Sequence, residues 1–397
     1  MTLLDLSVQL QDAKGICVKR RSNICRRRAA FMRMRRIERL AKQPLTVIVH
    51  RRTLFLVLSK PQTLNKKISR LIGENMKRLV KIVIFTLSNF IFIQTLSAET
   101  FKSLPTGTPM KSYIEGQAAM TQDISYEMHF PKNGKVPVPA VIIAHGSGGV
   151  NDGINQWKEF FLKRGYAVAI PDSFKNRISG NVLENQAKVH AYLQVVDVAI
   201  LAGVLKANTS IDPTRIISIG FSRGGMAALN SAFTAFYKPA LGNQEPFAAH
   251  VSLYPACNYP YMASTFSKAP VLVLMGEKDD FTPSEFCVAA LTKNKQAGMN
   301  VSWYVYPGGY HGFDASSAAK YLPKAEITAR CPNRFELNLE KWEFVSIDGG
   351  EVLKPQNAFA QQRACAGKYF GAWYGATPGS VEWSFKSVGE FLSRHRL

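Results

Sequence analysis

The chain predicts an α/β fold: a doubly wound, mostly parallel sheet carrying a hairpin-like insertion near its C-terminal end. Two observations predict it. Short apolar runs recur between residues 121 and 308, bounded by turn residues, as in strands buried on both faces. Helical patterns alternate with those runs, the signature of parallel βαβ units. Residues 99–397, about 300 in number, suffice for one large domain.

The elements follow in order. "TQDISYEMHF" (121–130) alternates as an early strand and ends at the turn "PKNGK". "PAVIIAH" (139–145) and "YAVAIPD" (166–172) are continuous apolar strands. Val189, Leu193, Val196, Ile200 and Val204 form a helical stripe. "RIISIGFS" (215–222) is a third buried strand, and the small residues of "GGMAALNSAF" suit a helix packed close to a sheet. "AAHVSLYP" (248–255), "APVLVLMG" (269–276) and "SWYVYPG" (302–308) are three more strands. Between the last two, Thr282 and Glu285 read as a capping box, with Pro283 at the first helical position and Gly298 placed to stop the helix. "SVEWSFKSVGEFLSRHRL" closes the chain as a helix.

Residues 325–366 break this rhythm. "KWEFVSIDGGEVLKP" reads as a hairpin turning at Asp348-Gly349-Gly350, and Cys331 and Cys365 bracket the excursion. With Cys257 and Cys287 these make four cysteines beyond residue 99, which allow three pairings or four free buried thiols.

The chemistry centres on "IISIGFSRGG" (216–225). Gly220-Phe221-Ser222-Arg223-Gly224 is a G-x-S-x-G motif between a strand and a helix, the context a nucleophile turn requires. A serine hydroxyl needs a base, and the base an orienting carboxylate. Three histidines follow Ser222. His250 falls within a buried strand and His395 lies two residues from the chain end. His311, in the glycine-rich "YPGGYHGFD" after a strand, is the expected base, as a mobile, exposed imidazole. Asp279 and Asp280, in "MGEKDDFTP", are both candidate acids, with Asp279 favoured; either also reads as a helix-cap acid. An oxyanion site needs two aimed N–H groups. Arg223 N–H supplies one, and Gly146 or Ser147, in the loop "AHGSGG", the other. No G-K-[ST] follows that loop, and neither H-E-x-x-H nor C-x-x-C occurs. No metal and no cofactor is expected.

These segments, taken with "PDSFKNR" (171–177) and "IDPTRIISIGFSRGG" (211–225), resemble the dienelactone hydrolase family of α/β hydrolases, in the family's order over roughly residues 120–320. The resemblance implies an α/β-hydrolase fold. It places the acid on Asp279, four residues before Pro283, and the histidine on His311. The namesake enzymes carry cysteine where Ser222 stands here, and serine-bearing relatives look like general esterases. The expected substrate is therefore a small-molecule carboxylic ester or lactone. Segment 171–177 is expected to wall the pocket through Phe174 and Arg177, with Gly148 beside them. Similarity to exported relatives implies Cys257–Cys287 and Cys331–Cys365 pairing. Two other functions fit the same fold: a peptidase, though no propeller repeat precedes the domain, and a non-catalytic ligand-binding protein.

The net charge of +22 first suggests a nucleic-acid binder. Its distribution argues otherwise. Residues 1–75 carry 18 Lys and Arg against 4 Asp and Glu, a net of +14, and residues 76–98 add three. That leaves 22 − 14 − 3 = +5 for residues 99–397, and no nucleic-acid partner is expected. From Met76 the sequence has a short positive start (Lys77, Arg78), an apolar run from Ile82 to Ile93, and small residues at Ser97 and Ala98. This is the grammar of a secretory signal. Asn89 and Gln94 make it poor as a spanning helix. The expectation is a signal over 76–98, a basic extension over 1–75 that is mis-assigned upstream sequence or disordered, and a periplasmic or secreted domain over 99–397 without a stable membrane span. The alternative is a genuine basic arm that binds RNA or anionic lipid, with an internal anchor over 79–96.

Overall fold

The computed structural model describes residues 46–50, 53–57 and 99–397, apart from 333, 348 and 366. The expected signal over 76–98, most of the basic extension, Cys17 and Cys25 lie outside the described residues. The chain divides into two units, Met1–Ile93 and Gln94–Leu397. In the first, β1 (Thr46–His50) and β2 (Thr53–Val57) form an antiparallel hairpin. All that follows concerns the second.

Its centre is an eight-stranded sheet. The strands are β3 (Glu99–Ser103), β4 (Gln122–His129), β5 (Val138–Ala144), β6 (Ala167–Asp172), β7 (Ile211–Phe221), β8 (Ala249–Leu253), β10 (Val271–Gly276) and β11 (Val301–Tyr306), with a short β9 (Tyr261–Met262) outside it. The spatial order is β11-β10-β8-β7-β5-β6-β4-β3. Every pairing from β6 to β11 is parallel, and β3 and β4 close one edge antiparallel. The seven strands read from the sequence are all present. The edge strand β3 was not anticipated, since "ETFKS" lacks a long apolar run.

Helices α1 (Met110–Ile114), α2 (Asn155–Lys163), α3 (Ala191–Lys206), α4 (Arg223–Asn230), α5 (Thr234–Leu241), α6 (Ser284–Gln296), α7 (Pro355–Cys365) and α8 (Ser380–Arg394) surround the strands. Along β5 the side chains alternate between two cores. Val141 and Ile143 pack with Trp157 and Phe161 of α2 and Phe391 of α8; Ala140 and Ile142 pack with Leu193 and Val196 of α3. This period-two division is what a strand buried on both faces demands. Helix α3 is buried beyond the predicted stripe, because α4, α5, β3 and the sheet enclose it; Val204, in its last turn, is exposed, and Ala191 and Ile200 are partly so. Among the described residues no helix is long and apolar enough to cross a membrane.

The excursion after β11 is larger than one hairpin. β12 (Lys320–Glu326) pairs antiparallel with β16 (Phe370–Tyr374). Between them β13 (Phe335–Asn338), β14 (Glu343–Ser346) and β15 (Val352–Leu353) form a meander, followed by α7. The predicted hairpin corresponds to β14–β15. The insertion joins the domain by parallel pairing of β13 with β9. The Glu340 carboxylate seals that junction by accepting Ser264 N–H and the Ser264 and Thr265 hydroxyls. Both expected disulfides are present, Cys257–Cys287 and Cys331–Cys365.

The strand order reverses around β5, whose neighbours are β6 and β7. In open α/β sheets such a switch point, at the carboxyl ends of the strands, is where a site forms. The loops after β5 and β7 meet there.

Candidate active site

Ser222 follows β7 directly and precedes the first residue of α4. Its backbone is left-handed, φ 55° and ψ −116°, a conformation that L-residues adopt only when surrounding structure enforces it. The flanking glycines make the turn sterically feasible. A Cβ at Gly220 would lie 1.9 Å from Gly224 O, and one at Gly224 would lie 2.0 Å from Ala144 O. The result is a hydroxyl projected at the helix N-terminus, half-buried and bordering a cavity.

Three side chains form a continuous hydrogen-bonded line. His311 Nε2 is 2.8 Å from Ser222 Oγ, and His311 Nδ1 is 2.8 Å from Asp279 Oδ2. Asp279 lies beyond the end of β10 and His311 beyond the end of β11, so three strands deliver the three groups to one edge of the sheet. The expectation of an exposed, mobile imidazole is corrected. His311 is only 1% exposed. The Tyr254 and Phe281 rings lie 4.7 Å from it, and its backbone bridges to Tyr374 of the insertion strand β16.

The two candidate acids separate cleanly. Asp279 accepts from Phe281 N–H, Thr282 N–H and the Thr282 hydroxyl in addition to His311. Asp280 instead accepts the N–H of Trp373 in β16. The predicted capping box is also corrected. Helix α6 starts at Ser284 with Pro283 as its cap residue and no side-chain cap bond. The Thr282 hydroxyl is engaged by Asp279, by His311 Nδ1 at 3.0 Å and by Tyr254 O. Gly298 does close the helix end, with φ 110°.

The loop after β5 lies against the serine. A Cβ at Gly146 would come 3.3 Å from Phe221 O and 3.7 Å from Ser222 Cβ. Ser147 and Arg223 both border the cavity beside Ser222. The Arg223 N–H opens α4, where backbone donors lack intrahelical partners and the helix dipole is positive. Arg223 also contributes through its side chain. Its guanidinium is buried and clamps Gln186 O, Gln186 Oε1 and Val189 O. Burial, the largest influence, lowers its pKa to about 10. Gln186 in turn accepts the Ser147 hydroxyl at 2.9 Å, and its N–H binds Glu326 of the insertion at 2.5 Å. Gln186 thus ties the Ser222 turn, the glycine loop and the insertion together. No motif marks it, because its neighbours come from three distant segments.

The cavity has a volume of about 230 Å³. Phe174, Arg177 and Gly148 do not line it, a third correction. The Arg177 side chain is fully buried in an ion pair with Asp197, 2.5 Å, and also binds Leu104 O and Ser173 O. Phe174 packs edge-on to His145 at 4.5 Å. The wall comes instead from β9 and the insertion, including Phe335, Phe344 and Phe359. His250, as expected of a strand residue, is core: it meets Ser218, Ser231 and Ala228 O, and burial lowers its pKa to about 3. His395 is exposed.

The fold is of the doubly wound α/β class. The family model described as the dienelactone hydrolase family matches residues 127–331, which is 205 of the 397. The chain belongs to the dienelactone hydrolase family. Similar solved structures include a candidate dienelactone hydrolase from Klebsiella pneumoniae, with 20% identity over 55% of this chain and 88% of that one, TM-score 0.40. Esterase 2 of Thermogutta terrifontis, phosphorylated by paraoxon, has 16% identity over 56% of this chain and 87% of that one, TM-score 0.40. A dienelactone hydrolase-like promiscuous phosphotriesterase from metagenomic libraries has 18% identity over 55% of this chain and 84% of that one, TM-score 0.42.

Proposed function

We propose that the chain is an exported serine hydrolase that cleaves a carboxylic ester or lactone through an acyl-enzyme. The observation that carries this reading is the hydrogen-bonded line from Ser222 through His311 to Asp279 beneath a cavity. Ser222 Oγ attacks the ester carbonyl carbon as His311 Nε2 takes its proton. Asp279 keeps the Nδ1–H tautomer and stabilises the imidazolium. The tetrahedral oxyanion accepts N–H groups from Arg223 and from Ser147 or Gly146. Collapse expels the alkoxide, which takes the proton from His311. Water then attacks the acyl-enzyme, giving its proton to His311, and the carboxylic acid leaves with Ser222 restored.

Export is supported by the signal-like grammar of residues 76–98 and by two disulfides, which persist in oxidising compartments. In this reading residues 99–397 are the mature domain. N-terminal sequencing of the native protein tests it: a chain beginning near Glu99 is expected, and one retaining residues 1–98 contradicts it. The enzymatic reading is tested by ester hydrolysis and by fluorophosphonate labelling. Both are expected in the native sequence and lost in Ser222→Ala; a folded, unlabelled, inactive protein points to a binding function instead.

A further inference from the structure

The cavity beside Ser222 is lined from two parts of the fold. Ser147, Gln186, Ser222 and Arg223 line it at the sheet edge, and the insertion adds the polar residues Glu326, Thr328, Gln362 and Arg363. Much of its apolar lining is aromatic and comes from the insertion and the strand it pairs with. Phe335 and Phe344 lie 5.3 Å apart at 61°, Phe344 and Phe359 5.1 Å apart at 74°, and Tyr259 stands 4.8 Å from Phe335. All four of these residues border the cavity.

The aromatic wall is held from several sides. Cys331, itself on the cavity wall, is bonded to Cys365 at the end of α7. β13 pairs with β9, Glu340 grips Ser264 and Thr265, and Glu326 binds the N–H groups of Gln186 and Gly367. A pocket shaped before binding selects by shape, because its ordering is not charged against the ligand.

Size narrows the ligand further. An apolar cavity of roughly 150 Å³ accepts benzene. The 230 Å³ present here holds such a ring plus a short connector, whereas an acetyl or propionyl group leaves most of the wall unfilled. Rings against rings gain from edge-to-face and offset contacts beyond simple burial. With the ester carbonyl at Ser222, we propose that this enzyme is selective for esters whose acyl group carries an aromatic ring on a short linker, and that Phe335, Phe344 and Phe359 determine that selectivity. The inference rests on the ester hydrolysis proposed above.

The test compares kcat/KM for p-nitrophenyl propionate, octanoate and 3-phenylpropanoate with the purified protein. All three share a leaving group and an alkyl-bound carbonyl, so intrinsic reactivity is closely matched. The phenylpropanoate is expected to exceed the propionate by about tenfold or more, and to exceed the octanoate. Phe359 is half-buried on α7, which makes it a mild site to change. In Phe359→Ala the phenylpropanoate-to-propionate ratio should fall about tenfold. In Phe359→Trp, which fills the space, the ratio should fall as well, and this variant serves where the alanine variant folds poorly. A ratio near one in the native protein, an octanoate preference, or a ratio unmoved in both variants overturns the inference. Fluorophosphonate labelling of Ser222 separates the two levels. Labelling with flat selectivity sinks only the ring-binding wall, while absent labelling in folded protein sinks the hydrolase reading beneath it.

Discussion

Thr282 holds the Asp279 carboxylate at both oxygens, through its N–H at 2.7 Å to Oδ1 and its hydroxyl at 2.9 Å to Oδ2. The same hydroxyl lies 3.0 Å from His311 Nδ1. Thr282 therefore holds the carboxylate that meets His311 Nδ1. Thr282→Val keeps shape and the backbone contact but removes the hydroxyl. We expect kcat to fall about tenfold with KM little changed, in line with ~1–1.5 kcal/mol for one hydrogen bond. Unchanged kcat would show that the backbone N–H groups hold Asp279 unaided.

The adjacent aspartates give a sharper contrast. Asp279→Asn leaves the imidazole without its carboxylate partner and should lower kcat by about 10⁴. Asp280 binds Trp373 N–H on β16, away from the imidazole, so Asp280→Asn should keep most activity. Steady-state kinetics of the pair decides between them, and equal losses would contradict the assignment.

Stability should fall on acidification below neutrality. His250 is buried, Nδ1 faces Ala228 O, and its folded pKa of about 3 lies below the ordinary value of 6.5. The unfolded chain therefore binds the proton first, and this share of stability, full above about pH 6.5, declines as pH falls towards 3. His145 shifts in the same direction for the same reason, burial. Melting temperatures between pH 7 and 4 should drop less steeply in His250→Gln than in the native protein. Parallel slopes would remove His250 as a source.

The Cys331–Cys365 bridge spans a sequence separation of 34. A cross-link of that reach stabilises by about 2–4 kcal/mol. The double serine variant should melt lower and, because Cys331 borders the cavity, discriminate less among acyl groups. Calorimetry and the ester series measure the two effects, and a lower melting point with intact selectivity would separate the bridge from the wall.

How much of this was legible in the sequence follows from what each feature depends on. The strands of the central sheet announced themselves because burial on both faces leaves uninterrupted runs such as "PAVIIA" and "VLVLMG". Ser222, Asp279 and His311 stood out because each follows a strand in a fixed order. Thr282 did not, because T-x-x-E before a helix has a local explanation that its neighbours across the fold override. The family resemblance of "PDSFKNR" implies a pocket role for Arg177; nothing local reveals that Asp197, on α3, neutralises it. The cavity wall was invisible for a related reason. Phe335, Phe344 and Phe359 sit on separate elements of the insertion, and Phe335 meets Tyr259 beside the β9–β13 pairing. The dense cysteine-bracketed interruption of the βα rhythm was the one sign that something was being added to the site.

The most direct test of the central claim is fluorophosphonate labelling followed by peptide mapping on native protein and on Ser222→Ala. The account predicts stoichiometric modification of Ser222, none in the alanine variant, and a parallel loss of ester hydrolysis by a factor of about 10⁶. Modification at another residue, or hydrolysis that survives in Ser222→Ala, would contradict it.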